Sequence, residues 1–99
     1  MQRILILDTE TTGLDPNAGA TCIEVAACLY SIEHASPIDW ASWLICHPTN
    51  EAEAINHISP ALMSFGHLAT DVWATLYELA KSADAIARGD RAEASAADR

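Results

Sequence analysis

Ile4-Leu5-Ile6-Leu7-Asp8-Thr9-Glu10-Thr11-Thr12-Gly13-Leu14 changes character abruptly at its fifth residue. The continuous apolar run, half of it β-branched, predicts a buried central strand over residues 3–7. Asp8 and Glu10 follow two positions apart. Side chains alternate along an extended chain, so these two carboxylates project from one face, about 7 Å apart. With no Lys or Arg among them they repel each other, and a divalent cation is the natural neutraliser. Oxygen-only ligation favours Mg²⁺ or Mn²⁺ over zinc. Asp-x-Glu at the end of a strand is by itself a common polar turn. Here an apolar strand feeds straight into it, and Thr11-Thr12-Gly13 follows with small residues whose backbone can approach a ligand.

Outward from this stretch, Gly13, Asp15-Pro16-Asn17 and Gly19 form a loop of turn formers. Apolar character resumes over residues 21–30 with Cys22, Ile23, Val25 and Leu29, a second predicted strand in which Glu24 is the odd residue out. After a polar turn at 31–37, residues 38–46 alternate as a third strand that carries aromatic residues on both faces. The short connections leave no room for a crossover helix between Asp8 and Tyr30, so the sheet begins as a three-stranded antiparallel meander. Helices follow. Ser59 and Pro60 are suited to cap and start a short one over 61–65. Thr70 is placed to cap a longer one over 71–83, whose stripe of Val72, Leu76, Leu79 and Ala83 packs on the sheet. Residues 87–99 hold only Ala, Gly, Ser and charged side chains, too little apolar surface to offset the entropy of ordering them. The expected division is an α/β unit over 1–86 and a polar, disordered tail over 87–99.

A chain of 99 residues is one domain at most. The net charge of −9, with Arg3, Lys81, Arg88, Arg91 and Arg99 as the basic side chains, argues against gripping nucleic acid through a broad cationic surface. A phosphate would have to be met through a bound metal, which turns a carboxylate cluster from repelling it to attracting it. Cys22, Cys28 and Cys46 form no Cys-x-x-Cys pair and read as reduced core residues of a cytoplasmic protein. Four apolar residues before Asp8 are too few for a targeting signal, and no stretch approaches a bilayer-spanning length. His34, His47, His57 and His67 show no ligand spacing with these cysteines, which speaks against a transition-metal site.

The stretch ILILDTETTGL at 4–14 resembles the first motif of the DnaQ-like exonucleases, the DEDD superfamily that includes polymerase proofreading subunits and ribonuclease T relatives. Ile23-Glu24-Val25-Ala26-Ala27 is similar to that family's second strand. Asn56-His57-Ile58-Ser59 stands where its members often have His-Gly-Ile-Thr, and Lys81-Ser82-Ala83-Asp84-Ala85-Ile86 is similar to the segment leading into the fourth strand. The resemblance spans about residues 1–86. It implies a ribonuclease H-like α/β fold and 3′-5′ exonuclease activity on the 3′ end of single-stranded DNA or RNA. In that scheme Asp8 and Glu10 are the catalytic metal ligands of a two-metal site using Mg²⁺ or Mn²⁺. Thr11, Thr12, Gly13, Leu14 and Ile58 are expected beside the substrate, with Leu14 and Ile58 against the terminal nucleotide.

The departures from the family pattern are as informative. Its members carry His-Asn-Ala-x-Phe-Asp, ending in the third acid, where this chain has Asp90-Arg91-Ala92-Glu93-Ala94-Ser95. Ser95 stands for the carboxylate. The fourth acid and the general-base His or Tyr have no counterpart in the 99 residues, so weak or absent activity of these residues alone is expected. Two other classes stay open. A haloacid-dehalogenase-like phosphatase would use Asp8 as a phosphorylated nucleophile and needs a parallel sheet with a helical crossover after the motif. A non-catalytic acidic binding or assembly module would meet a protein partner, or a second copy, through the edge and open face of an incomplete sheet.

Overall fold

The computed structural model describes residues 2–88. The expectations for 89–99, including Asp90, Glu93, Ser95 and Asp98, lie outside the described residues. Three long strands come first: β1 (Arg3–Thr11), β2 (Cys22–Ser31) and β3 (Ser36–Leu44). Helices α1 (Glu53–Asn56), α2 (Pro60–Met63) and α3 (Ala69–Ala80) follow, and a short β4 (Ala85–Arg88) completes the described chain. The sheet order is β3-β2-β1-β4, with the first three strands antiparallel and β4 parallel to β1. The expected meander and helices are present. The fourth strand adds a parallel edge, and it takes Ala87 and Arg88 into the sheet rather than the expected tail.

Alternation along β2 sorts the two faces of the sheet. Ile23, Val25, Ala27, Leu29 and Ser31 are buried while their neighbours are only half-buried. The register puts Leu5 opposite Leu29, Leu7 opposite Ala27 and Thr9 opposite Val25 on that same buried face. Helix α3 covers it with most of the expected stripe: Val72 and Leu76 join Leu5, Val25, Ala27 and Ile45 in the core and Leu79 packs against them, while the helix ends at Ala80 rather than 83 and Ala83 packs there from the segment that follows. Each fully buried aliphatic side chain contributes about 1.5–3 kcal/mol. A second, smaller cluster of Ile23, Ile58 and Met63, with Leu44 against it, closes one end of the sheet beneath α2.

The other face of the sheet is bare. Ile6, Asp8, Glu10, Glu24, Ala26, Cys28, Trp40 and Ser42 share it by register, and no helix among the described residues packs there.

Local details explain where elements begin. Ser59 caps α2 as expected, its Oγ accepting the Leu62 N–H at 3.1 Å. The expected Thr70 cap of α3 is corrected: the helix starts two residues earlier, at Ala69, with Leu68 in the capping position and no side-chain cap. The Asp71 and Val72 N–H groups both reach the Leu68 carbonyl, so the turn closes before Thr70. Leu68 is placed there because His67 docks on β3, its N–H donating to Leu44 O at 2.7 Å and its carbonyl accepting from Cys46 N at 2.8 Å. Gly66 makes that docking possible, since a Cβ there would lie 2.8 Å from the backbone of Leu44, Ile45 and Cys46. Register of the parallel edge is pinned by Asp84. Its N–H donates to Arg3 O and its carboxylate accepts the Arg3 N–H, both at 2.8 Å.

Candidate active site

β1 runs to Thr11, beyond the expected residue 7, because β2 pairs with it along its whole length. Asp8 and Glu10 therefore lie within the strand, both exposed, on the bare face. Asp8 sits opposite Ala26 and Glu10 opposite Glu24. Among the described residues no hydrogen bond or ion pair engages either the Asp8 or the Glu10 carboxylate. The register keeps the two acids on one face of a central strand, as read from the sequence, but the strand is not buried as expected: Leu5 alone of its residues is buried.

Glu24 is the residue that sequence reasoning passed over. Partial burial raises its carboxyl pKa first, and the neighbouring charges of Glu10 and then Asp8 raise it further. A like-charge pair directly across an antiparallel ladder is destabilising. The signal was present in the sequence as a lone acid in an apolar strand, but only the register shows that it faces Glu10. Cys22, two residues away, has its thiol pKa raised by burial; its Sγ donates to the Glu24 carbonyl at 3.4 Å. All three cysteines are free thiols.

The donor set suits a hard divalent cation in chemistry: accessible carboxylate oxygens with no partner among the described residues. It is sparse in number. Among the described residues no group of three or more His, Cys, Asp or Glu side chains is arranged to hold a metal ion. Asp8 and Glu10 would hold the cation by two carboxylates, leaving its remaining positions to water.

The residues after the acids divide into two kinds. Thr12 is buried and staples the loop that follows β1: its N–H donates to Thr21 O at 2.9 Å, and its Oγ1 accepts the Thr21 N–H at 3.0 Å. Thr11 donates its hydroxyl to the Gly13 carbonyl. A Cβ on Gly13 would meet only Ala20 at an ordinary 3.5 Å, so the fold does not demand glycine there. Leu14 stands wholly in solvent, while Ile58 is buried against Ile23 and Met63. Of the expected substrate contacts, Leu14 is thus the free side chain, and Thr12 and Ile58 are structural supports.

A polar clamp not foreseen from the sequence ties this region together. Asn56 Nδ2 donates to Thr11 O at 3.0 Å, next to Glu10. Its Oδ1 accepts from Asn50 Nδ2 at 2.8 Å and from Ile58 N at 3.1 Å. The buried Asn50 also donates to Ile58 O at 2.7 Å. His57, between Asn56 and Ile58, takes a left-handed backbone with φ 62°. That conformation is natural for the glycine expected at this place from the resemblance.

β2 is antiparallel to β1, and only a three-residue 3₁₀ turn at Pro16–Ala18 lies between them. This antiparallel return after Asp8 is the opposite of the helical crossover to a parallel neighbour that a haloacid-dehalogenase-like phosphatase needs there. No helix among the described residues is long and apolar enough to cross a membrane.

No protein-family model and no curated protein matches the chain. Among solved structures it is similar to the crystal structure of a full-length 3′-exonuclease, with a TM-score of 0.67 and 17% sequence identity. The match covers 81% of this chain and 39% of that one, so the chain spans about two fifths of the exonuclease's length. What this likeness establishes is the fold: the described residues form part of an α/β, ribonuclease H-like sheet of the kind on which that exonuclease is built.

Proposed function

We propose that these residues are the metal-binding N-terminal part of a 3′-5′ exonuclease domain of the DnaQ-like type. The observation that carries the reading is that Asp8 and Glu10 share the open face of a central strand with no partner among the described residues. Asp8 and Glu10 hold Mg²⁺ or Mn²⁺. When bound, such an ion neutralises phosphate charge and lowers the pKa of a coordinated water, as in two-metal hydrolysis. The chain's own part is positional. The clamp from Asn56 to the Thr11 carbonyl and the Thr12–Thr21 pair fix the backbone just beyond the acids. Leu14, free at the tip of that backbone, meets the terminal nucleotide of a single-stranded 3′ end.

The charge of −9 supports a cation-dependent encounter, since a bare phosphate is repelled by this surface. The 99 residues supply Asp8 and Glu10 of the acids that the resemblance implies, so by themselves they hydrolyse weakly or not at all. The test is Mg²⁺-dependent release of mononucleotides from 3′-labelled single-stranded DNA and RNA. Release at a trace rate, or none, is expected. Robust turnover abolished by Asp8→Ala would keep the exonuclease reading and overturn the inactive one; robust turnover indifferent to Asp8→Ala would remove Asp8 from the chemistry.

A second reading is favoured by the sheet itself. Among the described residues β3 and β4 are both open edges and one face is bare, and seven of the nine β3 residues are exposed. Exposed edges and apolar faces invite association. On this reading the chain is an acidic assembly module that binds a partner protein or itself, and a concentration-independent monomer in sedimentation would count against it.

A further inference from the structure

A groove of about 400 Å³ opens on the bare face beside Asp8, and nothing in the proposed catalytic arrangement uses it. Its construction follows from strand register. One rung across the sheet is Ile6–Cys28–Trp40 and the next is Asp8–Ala26–Ser42. Small side chains from β2 make the floor, and Ile6 and Trp40 flank it. The rung after that is Glu10–Glu24–Leu44. Polarity thus changes in steps along the face: apolar at the first rung, one acid and one hydroxyl at the second, and two adjacent acids at the third, where Leu44 packs against the Ile23 cluster. Successive same-face rungs are about 6.8 Å apart.

We propose that this groove seats a nucleobase, with the phosphate of the same strand held at the Asp8–Glu10 end through the bound cation. This rests on the exonuclease reading above and names where a second base of the strand would lie, on the side of the acids away from Leu14. A nucleotide has the same order of parts as the groove: a flat apolar ring, a polar ring edge and an anion at roughly one rung's distance. Trp40 is 70% exposed although its backbone is fixed in β3, which gives a stacking surface already positioned and not engaged by the core. Ser42 offers a hydroxyl to the ring edge. The volume falls within the range typical of small-ligand sites, about 300–1,000 Å³. A purely apolar ligand would leave Asp8 and Ser42 unanswered, and a free anion would be repelled by three neighbouring acids. A base linked to a cation-held phosphate satisfies both ends.

The test is a titration of the ¹⁵N-labelled chain with thymidine 5′-monophosphate, thymidine and ribose 5-phosphate, each with and without Mg²⁺, following the indole N–H signals of Trp40, Trp43 and Trp73. Thymidine 5′-monophosphate with Mg²⁺ should move the Trp40 signal, thymidine should move it with weaker affinity, and ribose 5-phosphate should leave it in place. Trp40→Ala should weaken nucleotide binding about 5- to 150-fold, the equivalent of the roughly 1–3 kcal/mol that one stacked base contributes. Ala26→Leu, which fills the floor, should give a comparable loss. Unchanged affinity in both variants, or an equal Trp40 response to ribose 5-phosphate, overturns the base seat. The cation pair is judged separately by Asp8→Asn. If that variant loses the Mg²⁺ dependence yet keeps the Trp40 response to thymidine, both ideas stand. If Mg²⁺ dependence survives it while Trp40 still responds, the base seat stands and the metal reading fails.

Discussion

Replacing Asn56 with Ala removes a side-chain hydrogen bond between the α1–α2 segment and the end of β1. Three hydrogen bonds are lost: Asn56 Nδ2 to Thr11 O, Asn50 Nδ2 to Asn56 Oδ1 and Ile58 N to Asn56 Oδ1, at 3.0, 2.8 and 3.1 Å. A net value of about 0.5–1.5 kcal/mol applies to each. Asn56 is half-buried, so water re-satisfies part of what is exposed, but Asn50 is only 8% exposed and its Nδ2 keeps just the bond to Ile58 O, while its Oδ1 still accepts the Ala52 N–H. We expect a loss of about 2–3 kcal/mol, which for a domain of this size lowers Tm by roughly 10–20 °C. Urea unfolding of Asn56→Ala, Asn50→Ala and the double variant measures it. Because the two asparagines share a bond, the double variant should lose less than the singles together. A loss below about 0.5 kcal/mol for Asn56→Ala, with strict additivity in the cycle, would refute the clamp.

Two further outcomes are expected from the backbone and from the charges. His57 holds φ 62° with its side chain exposed, a conformation that costs a non-glycine residue about 1 kcal/mol or more. His57→Gly should therefore raise Tm by a few degrees and His57→Val should lower it; equal melting of all three would contradict a strained position. Glu24 binds its proton more tightly folded than unfolded, because its folded pKa is raised from 4.5. Its favourable contribution is present below about pH 4.5 and is lost as pH rises through the folded value. Glu24→Gln should accordingly stabilise the chain at pH 7, by about 0.2–1 kcal/mol for a solvent-screened cross-strand pair, and the gain should vanish below about pH 4.5. Denaturant midpoints at the two pH values decide it, and a gain that persists in acid would point to a cause other than charge.

The parts of the molecule that were legible in the sequence are those encoded by local period and local chemistry. The resumed apolar run through Cys22, Ile23, Val25 and Leu29 marks β2, and the short loops around it enforce the antiparallel meander, while its alternating buried face emerges only in the structure. The stripe from Val72 to Ala83 announces α3, and Ser59-Pro60 announces α2. Asp8 and Glu10 were readable for the same reason, since sharing a face is a property of a single strand. What escaped depends on relations between segments. Glu24 faces Glu10, and Trp40 flanks Cys28, only because two strand pairings have a particular register. Thr70 looked like a cap, but the docking of His67 on β3 sets the start of α3 at Ala69. The Asn50–Asn56–Thr11 clamp joins positions 45 residues apart and leaves no periodic trace. Helix α1 has four residues, too few for a hydrophobic period to emerge.

The proposed exonuclease function depends on Asp8 and Glu10 sharing one divalent ion. Titrating the chain with Mn²⁺ and following the free ion by electron paramagnetic resonance measures this directly, without relying on turnover. One site with a dissociation constant on the order of a millimolar is expected, as suits two carboxylates completed by water, with binding lost in both Asp8→Asn and Glu10→Gln. Mn²⁺ affinity that is the same in the wild-type chain and in both variants would contradict the account.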